Sequence, residues 1–132
     1  MALRKIKYLL VILLLLLPIK NLAQNESIYF VEREADCGII SKEIKSVTKQ
    51  FTLMNESNQN ITIASYKTGC GCTTVSYNKR KIEPNDSIKF YVTVKTEHKW
   101  GRFEENVLVR ISPNNIPFVL CIKGIKEYAV VQ

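Results

Sequence analysis

Cys70-Gly71-Cys72 is the stretch of this chain whose residue types and spacing suggest chemistry. It lies within Lys67-Thr68-Gly69-Cys70-Gly71-Cys72-Thr73-Thr74. Two thiols so placed can act in three ways. As thiolates they can hold a soft metal such as Cu(I) or Zn(II). They can close a small ring as a redox-active disulfide. They can also be structural, packing as small hydrophobes beside glycines that permit close backbone approach. In extended chain, side chains alternate, so Cys70 and Cys72 project to one side, and Gly71 lets the chain tighten until the sulfurs approach. A closed zinc site asks for four ligands. Only two donors are local, and the sole histidine, His98, is distant and falls in a loop. The structural or disulfide role is therefore favoured and no cofactor is expected, with Cu(I) on Cys70 and Cys72 as the alternative.

The remaining chemistry is thin. The chain has no Ser/His/Asp set, no phosphate-binding glycine loop and no paired-carboxylate motif. One histidine removes several catalytic arrangements, so no catalytic residues and no enzyme are expected. Four cysteines allow three pairings. Cys121 falls on the face opposite Leu120 and Ile122, and its pairing is left open by the residues alone. Tyr77 and Trp100 are candidates for a binding surface, for protein or for carbohydrate, although such rings more often cap the end of a sandwich. Asn78-Lys79-Arg80-Lys81 is a basic cluster that reads as a solvated loop. Asn25, Asn55, Asn60 and Asn85 each open an Asn-x-Ser/Thr sequon and read as turn residues.

The elements that must position these residues are strands. Apolar residues recur with period two, not 3.6. Ile88, Phe90, Val92 and Val94 alternate with polar residues over Ser87–Thr96. Phe103, Val107, Val109 and Ile111 do so over Arg102–Ile111, with Leu108 as an outward exception. Ile116, Phe118, Leu120 and Ile122 follow over Ile116–Lys123. Val47–Met54, Asn60–Tyr66 and a short Tyr29–Val31 complete the set. Turn chemistry separates the runs, at Asn55-Glu56-Ser57-Asn58, Glu83-Pro84-Asn85-Asp86, Lys99-Trp100-Gly101 and Ser112-Pro113-Asn114-Asn115. Lys42–Lys49 reads as a loop into the next strand. The prediction is an all-β sandwich of two antiparallel sheets, with Phe51, Ile63, Phe90, Val92, Val109 and Leu120 in one core.

The N-terminus is different. Arg4, Lys5 and Lys7 precede the apolar run Tyr8–Leu17, Pro18 breaks it, and a small residue stands at Ala23. That is the pattern of a secretory signal peptide, 1–23, cut after Ala23. The run is too short for a spanning helix, which needs about 20 apolar residues. No stable membrane anchor is expected after cleavage. The formal charge is +7, from 19 basic and 12 acidic residues. Arg4, Lys5, Lys7 and Lys20 account for four of those bases, so residues 24–132 carry 15 against 12, or +3. A nucleic-acid binder would concentrate charge in a basic stripe, so none is expected as partner. The 109 residues suffice for one domain with its own core.

The order of motifs resembles domain of unknown function family 1573. Cys70-Gly71-Cys72-Thr73 matches its Cys-Gly-Cys-Thr hallmark after the third strand. Ile82-Glu83-Pro84-Asn85 resembles its proline–glycine turn, with Asn85 in the glycine's place, which Asn tolerates because it accepts a left-handed conformation. Trp100-Gly101-Arg102-Phe103 resembles its glycine-plus-aromatic turn. Asp36-Cys37-Gly38 with Ile40 resembles its Asp-Phe-Gly opening, and Gly69 stands where serine is common. Cys37 replaces an aromatic core residue, so the resemblance implies that it faces inward, away from the Cys121 face, which argues against a Cys37–Cys121 bond unless the two edge strands twist past each other. The resemblance covers roughly Tyr29–Ile125. It implies an immunoglobulin-like sandwich of about seven strands, similar to the ASPM–SPD-2–Hydin group, in a bacterial protein. It implies no particular activity. The expected function is an exported, non-enzymatic envelope module with an unknown protein partner, periplasmic or at the cell surface of a Gram-negative bacterium. The alternative is a thiol- or copper-handling protein built on the Cys-Gly-Cys motif.

Overall fold

A computed structural model describes residues 2–16 and 27–128. The apolar N-terminal run lies in helix α1 (Ala2–Leu15), whose side chains are exposed throughout. Among the described residues no helix is long and apolar enough to cross a membrane. The expected cut after Ala23 and the sequon at Asn25 lie outside the described residues.

Nine strands follow: β1 (Ile28–Phe30), β2 (Glu34–Ile40), β3 (Ser46–Asn55), β4 (Ile61–Thr68), β5 (Thr73–Tyr77), β6 (Lys81–Ile82), β7 (Asp86–Lys95), β8 (Gly101–Ser112) and β9 (Ile116–Lys126). One sheet runs β1-β3-β7-β5 and the other β2-β9-β8-β4-β6. The six expected strands are β1, β3, β4, β7, β8 and β9, each within a residue or three of its expected ends. Two expectations need correction. The described residues hold nine strands, not about seven. The sheets are not wholly antiparallel, because β2 lies parallel to β9, Glu34 opposite Cys121 and Ile39 opposite Ile125.

The unforeseen strands have weak periodic patterns. In β2 the alternation breaks where the register shifts between Asp36 and Ile39; Gly38 takes a φ of 64° and donates its N–H to Asp36 Oδ1 at 2.8 Å. β5 is a short edge strand and β6 has two residues. Both draw their pairing from longer neighbours, β7 and β4.

The period-two residues of both sheets face each other. All six of the predicted core set are buried in one cluster. The Phe30 ring meets Phe90 and Phe118 edge-on, at 5.9 and 5.3 Å. Asn85 adopts a φ of 63°, the left-handed turn expected of it, and Gly101 a φ of 73°. Three polar residues are fully buried, Asn55, Thr96 and Lys126. Asn55 is no ordinary turn residue: its Nδ2 donates to the carbonyls of Gln59 and Ile82, and its Oδ1 accepts from the Ser57 N–H and hydroxyl. Lys126 ends β9 inside the sandwich, donating to the Ile44 carbonyl and the Thr96 hydroxyl.

Candidate functional site

The Cys-Gly-Cys segment is where the chain crosses from one sheet to the other. Strand β4 ends with Thr68 opposite Val107 of β8. Strand β5 begins with Thr73 opposite Val94 of β7. The four residues between them, Gly69 to Cys72, span the end of the sandwich. The crossing is fastened by backbone bonds: the Lys95 N–H donates to the Cys72 carbonyl at 2.8 Å and the Thr73 N–H to the Cys70 carbonyl at 3.2 Å.

Cys70 and Cys72 are joined as a disulfide, with Cα atoms 5.1 Å apart. Of the three readings, this is the ring closure that Gly71 permits. The environments of the two sulfurs differ. Cys70 Sγ accepts the Cys72 backbone N–H at 3.0 Å. Cys72 Sγ lies 3.7 Å from Glu105 Oε1 and 3.8 Å from the Thr73 hydroxyl. While the sulfurs are bonded neither carries a proton, so the Glu105 approach is a contact. In the reduced state the Cys72 thiol can donate there.

Glu105 enters the site because of where β8 places it. Along β8 the inward positions are 101, 103, 105, 107, 109 and 111, and Glu105 occupies the third, across from Ile122. A carboxylate facing the core needs a partner. Lys99, from the β7–β8 turn, supplies it at 2.5 Å, and both side chains are largely covered, 14% and 19% exposed. The Lys99 ammonium also lies 5.6 Å from the centre of the Phe103 ring. Neither residue was anticipated from sequence. The signal was there: the inward set Phe103, Val107, Val109, Ile111 skips one position, and an acid fills the gap.

Cys70, Cys72 and Glu105 offer ligand atoms all within 4.8 Å of one another. The pair thus has a third donor, 33 residues along the chain from Cys72. Holding a metal would require reducing the disulfide and drawing Glu105 away from Lys99.

The other cysteines are free. Cys37 packs partly against the core beside Gly124, where a Cβ would come within 3.2 Å of the Cys37 Cβ and of the Phe103 ring. Burial pushes its thiol up, offset in part by Lys49. Cys121 lies on the outer face of β9 as expected. Its thiol is raised to about 11, by burial first and by the hydrogen bond to Glu104 second. Raised thiols are poor nucleophiles.

Tyr77 and Trp100 are not brought together. Tyr77 closes β5 and stacks on Phe90 at 5.7 Å, with Tyr66 edge-on at 6.4 Å. It sits at the far end of β5 from the disulfide, about 13 Å along the strand from Thr73. Trp100 follows Lys99 directly and is 46% exposed. His98 is exposed in the same turn. In the basic cluster, Lys79 pairs with Asp86 and the Arg80 Nε donates to the Ile63 carbonyl at 3.1 Å.

In overall shape the chain is similar to a protein of unknown function from Porphyromonas gingivalis W83, at 13% identity and a TM-score of 0.64, over 74% of this chain and 46% of that one. It is similar to the VesB protease of Vibrio cholerae at 14% identity and a TM-score of 0.61, over 79% and 32%. The E. coli chaperone DraB aligns at 11% identity and a TM-score of 0.51, over 80% and 58%. The chain spans less than two thirds of each of these, and at such identities the likeness is one of fold. No curated protein matches in sequence. The profile of one family, "Protein of unknown function (DUF1573)", matches residues 28–125, the whole sandwich from β1 to the penultimate residue of β9. The chain belongs to that family.

Proposed function

We propose that this chain is an exported, non-enzymatic, immunoglobulin-like module of a Gram-negative envelope. Residues 1–23 are its signal peptide, and residues 24–132 act by binding a protein partner. The observation that carries this reading is a pair of exposed apolar patches on the outer face of the β2-β9-β8 sheet, set on either side of Lys123 and Cys121. Ile39, 73% exposed, lies opposite Ile125, 40% exposed, and Val119, 52% exposed, lies opposite Leu108. They lie outside the core cluster, so polar replacements there leave the core itself intact. The charged pair Lys123–Glu34, at 2.6 Å, sits on the same face and would give a partner its register. Replacing Ile39 and Ile125 with lysine should leave the fold intact and abolish capture of the partner from the native envelope. An unchanged set of captured proteins would refute the surface. Export is tested separately: the mature N-terminus should lie near Gln24, and intact Met1 on a membrane-bound mature form would refute it.

A second reading is favoured by Glu105. A thiol- or copper-handling protein would use Cys70 and Cys72, and Glu105 completes a three-donor group. The reduced mature domain should then hold one copper per chain, lost in the Cys70→Ser/Cys72→Ser variant and insensitive to His98→Ala. Equal copper content in both proteins would eliminate a metal site at the pair.

A further inference from the structure

We propose that Cys70–Cys72 is a reversible thiol–disulfide couple with divided roles, in which Cys70 exchanges with a partner disulfide or dithiol, Cys72 resolves, and Glu105 carries the proton of Cys72. The proposal rests on the thiol-handling reading and gives it a direction.

The two sulfurs are set apart by their surroundings. A backbone N–H points at Cys70 Sγ from 3.0 Å, and a hydrogen bond to the charged form favours a thiolate. Cys70 also stands between two exposed glycines; a Cβ built on Gly69 or Gly71 would meet nothing within 4 Å, so an incoming chain has room. Cys72 instead faces a carboxylate oxygen at 3.7 Å and a hydroxyl at 3.8 Å. That neighbour accepts a proton and favours the thiol. Lys99, bonded to Glu105 at 2.5 Å, is a positioning residue that holds the carboxylate in place.

Stability does not account for the arrangement. A disulfide constrains the unfolded chain in proportion to the logarithm of its loop, and a three-residue ring is so short that it removes little entropy. A carboxylate at a core-facing position adds nothing to packing. Placed against one sulfur and not the other, it has a use in thiol exchange.

The reaction balances without a cofactor. In the reduced protein the Cys70 thiolate attacks one sulfur of the partner disulfide. A mixed disulfide forms and the first partner thiolate leaves. Cys72 then passes its proton to Glu105, and its thiolate attacks Cys70 Sγ. The Cys70–Cys72 bond forms, and the second partner thiolate leaves and takes up a proton. Two electrons have moved from this chain to the partner. Reduction of the disulfide by a partner dithiol follows the same path backwards.

The test uses the mature protein, reduced with dithiothreitol and mixed with oxidised glutathione, with adducts assigned by peptide mass mapping. Cys72→Ser should accumulate glutathione on Cys70. Cys70→Ser should react at Cys72 about threefold more slowly, because the smaller thiolate fraction of the less acidic thiol is partly offset by its greater nucleophilicity. Glu105→Gln should slow closure of the ring on the order of a hundredfold, the lower end for a positioned proton acceptor, and flatten its pH profile. Glu105→Asp should recover part of the rate, and unchanged circular dichroism shows that each variant is folded. Equal reactivity of the two single-serine variants, or a Glu105→Gln protein that closes normally, would overturn the division of roles while leaving thiol handling in place. A folded protein whose disulfide resists dithiothreitol would overturn both.

Discussion

Glu105 and Asn55 show what single polar residues do in this sandwich. Each occupies a site that the alternation reserves for an apolar side chain, and each survives there by bonding. Asn55 has no exposure and uses both ends of its amide, to Gln59, Ile82 and Ser57. Asn55→Ala leaves two carbonyls unsatisfied, so it should cost about 1–3 kcal/mol in a urea titration. A loss under a few tenths would show that water replaces the amide freely. Cys121 gives a prediction in pH. Its folded value of about 11 lies above the roughly 8.5 of an unfolded thiol, so folding favours the protonated form. Its contribution to stability is complete below about pH 8.5 and is lost as pH rises through about 11. Alkylation of Cys121 by iodoacetamide should be slow at pH 8 and accelerate up to about pH 11. Rapid alkylation at pH 7 would contradict the burial and the Glu104 contact.

At the scale of elements, β7 is the strand on which the core turns. It pairs with β3 on one side and β5 on the other, and Ile88, Phe90, Val92 and Val94 are all at or below 1% exposure. Phe90 touches two rings, Phe30 edge-on and Tyr77 stacked, and Phe30 in turn meets Phe118 edge-on. Truncating it opens a cavity that β-sheet partners cannot collapse into, so Phe90→Ala should cost about 3–5 kcal/mol. The same substitution should raise the exposure of Tyr77, visible as a shift in tyrosine absorbance. An unchanged denaturation midpoint would place the wrong face of β7 inside. Strands β7, β8 and β9 were the most legible because each has four inward apolar residues in alternation, while β3 has three and β4 two. The edge strand β2 was not legible, since Ala35 and Cys37 are small and its bulge at Gly38 shifts the register.

The whole molecule shares one hydrophobic cluster that draws on both sheets, so it should unfold as a unit. Trp100, the single tryptophan, reports on the disulfide end. Its fluorescence and the far-ultraviolet circular dichroism should give coincident urea transitions. The Cys70→Ser/Cys72→Ser protein should show the same coincidence and lose less than about 2 kcal/mol, given so short a ring. A fluorescence transition well ahead of the dichroism would mean that the crossing loop and the β7–β8 turn melt separately from the core.

Residues near one another in the chain specified much of this protein. Period-two alternation marked six strands, the Asn85 and Gly101 turns took the left-handed backbone their residues permit, and Cys70-Gly71-Cys72 was legible as a pair able to close a ring, one of three roles its spacing allows. All of these are interactions over a few residues, and local stereochemistry is enough to read them. The tertiary structure alone decided that β2 runs parallel beside β9, and that Glu105, bonded to Lys99, meets a cysteine 33 residues away. Those contacts form only when the register of β8 against β4 and of β7 against β5 is set. Register is fixed by burying two whole faces at once, a property of the pair of sheets that no single strand encodes.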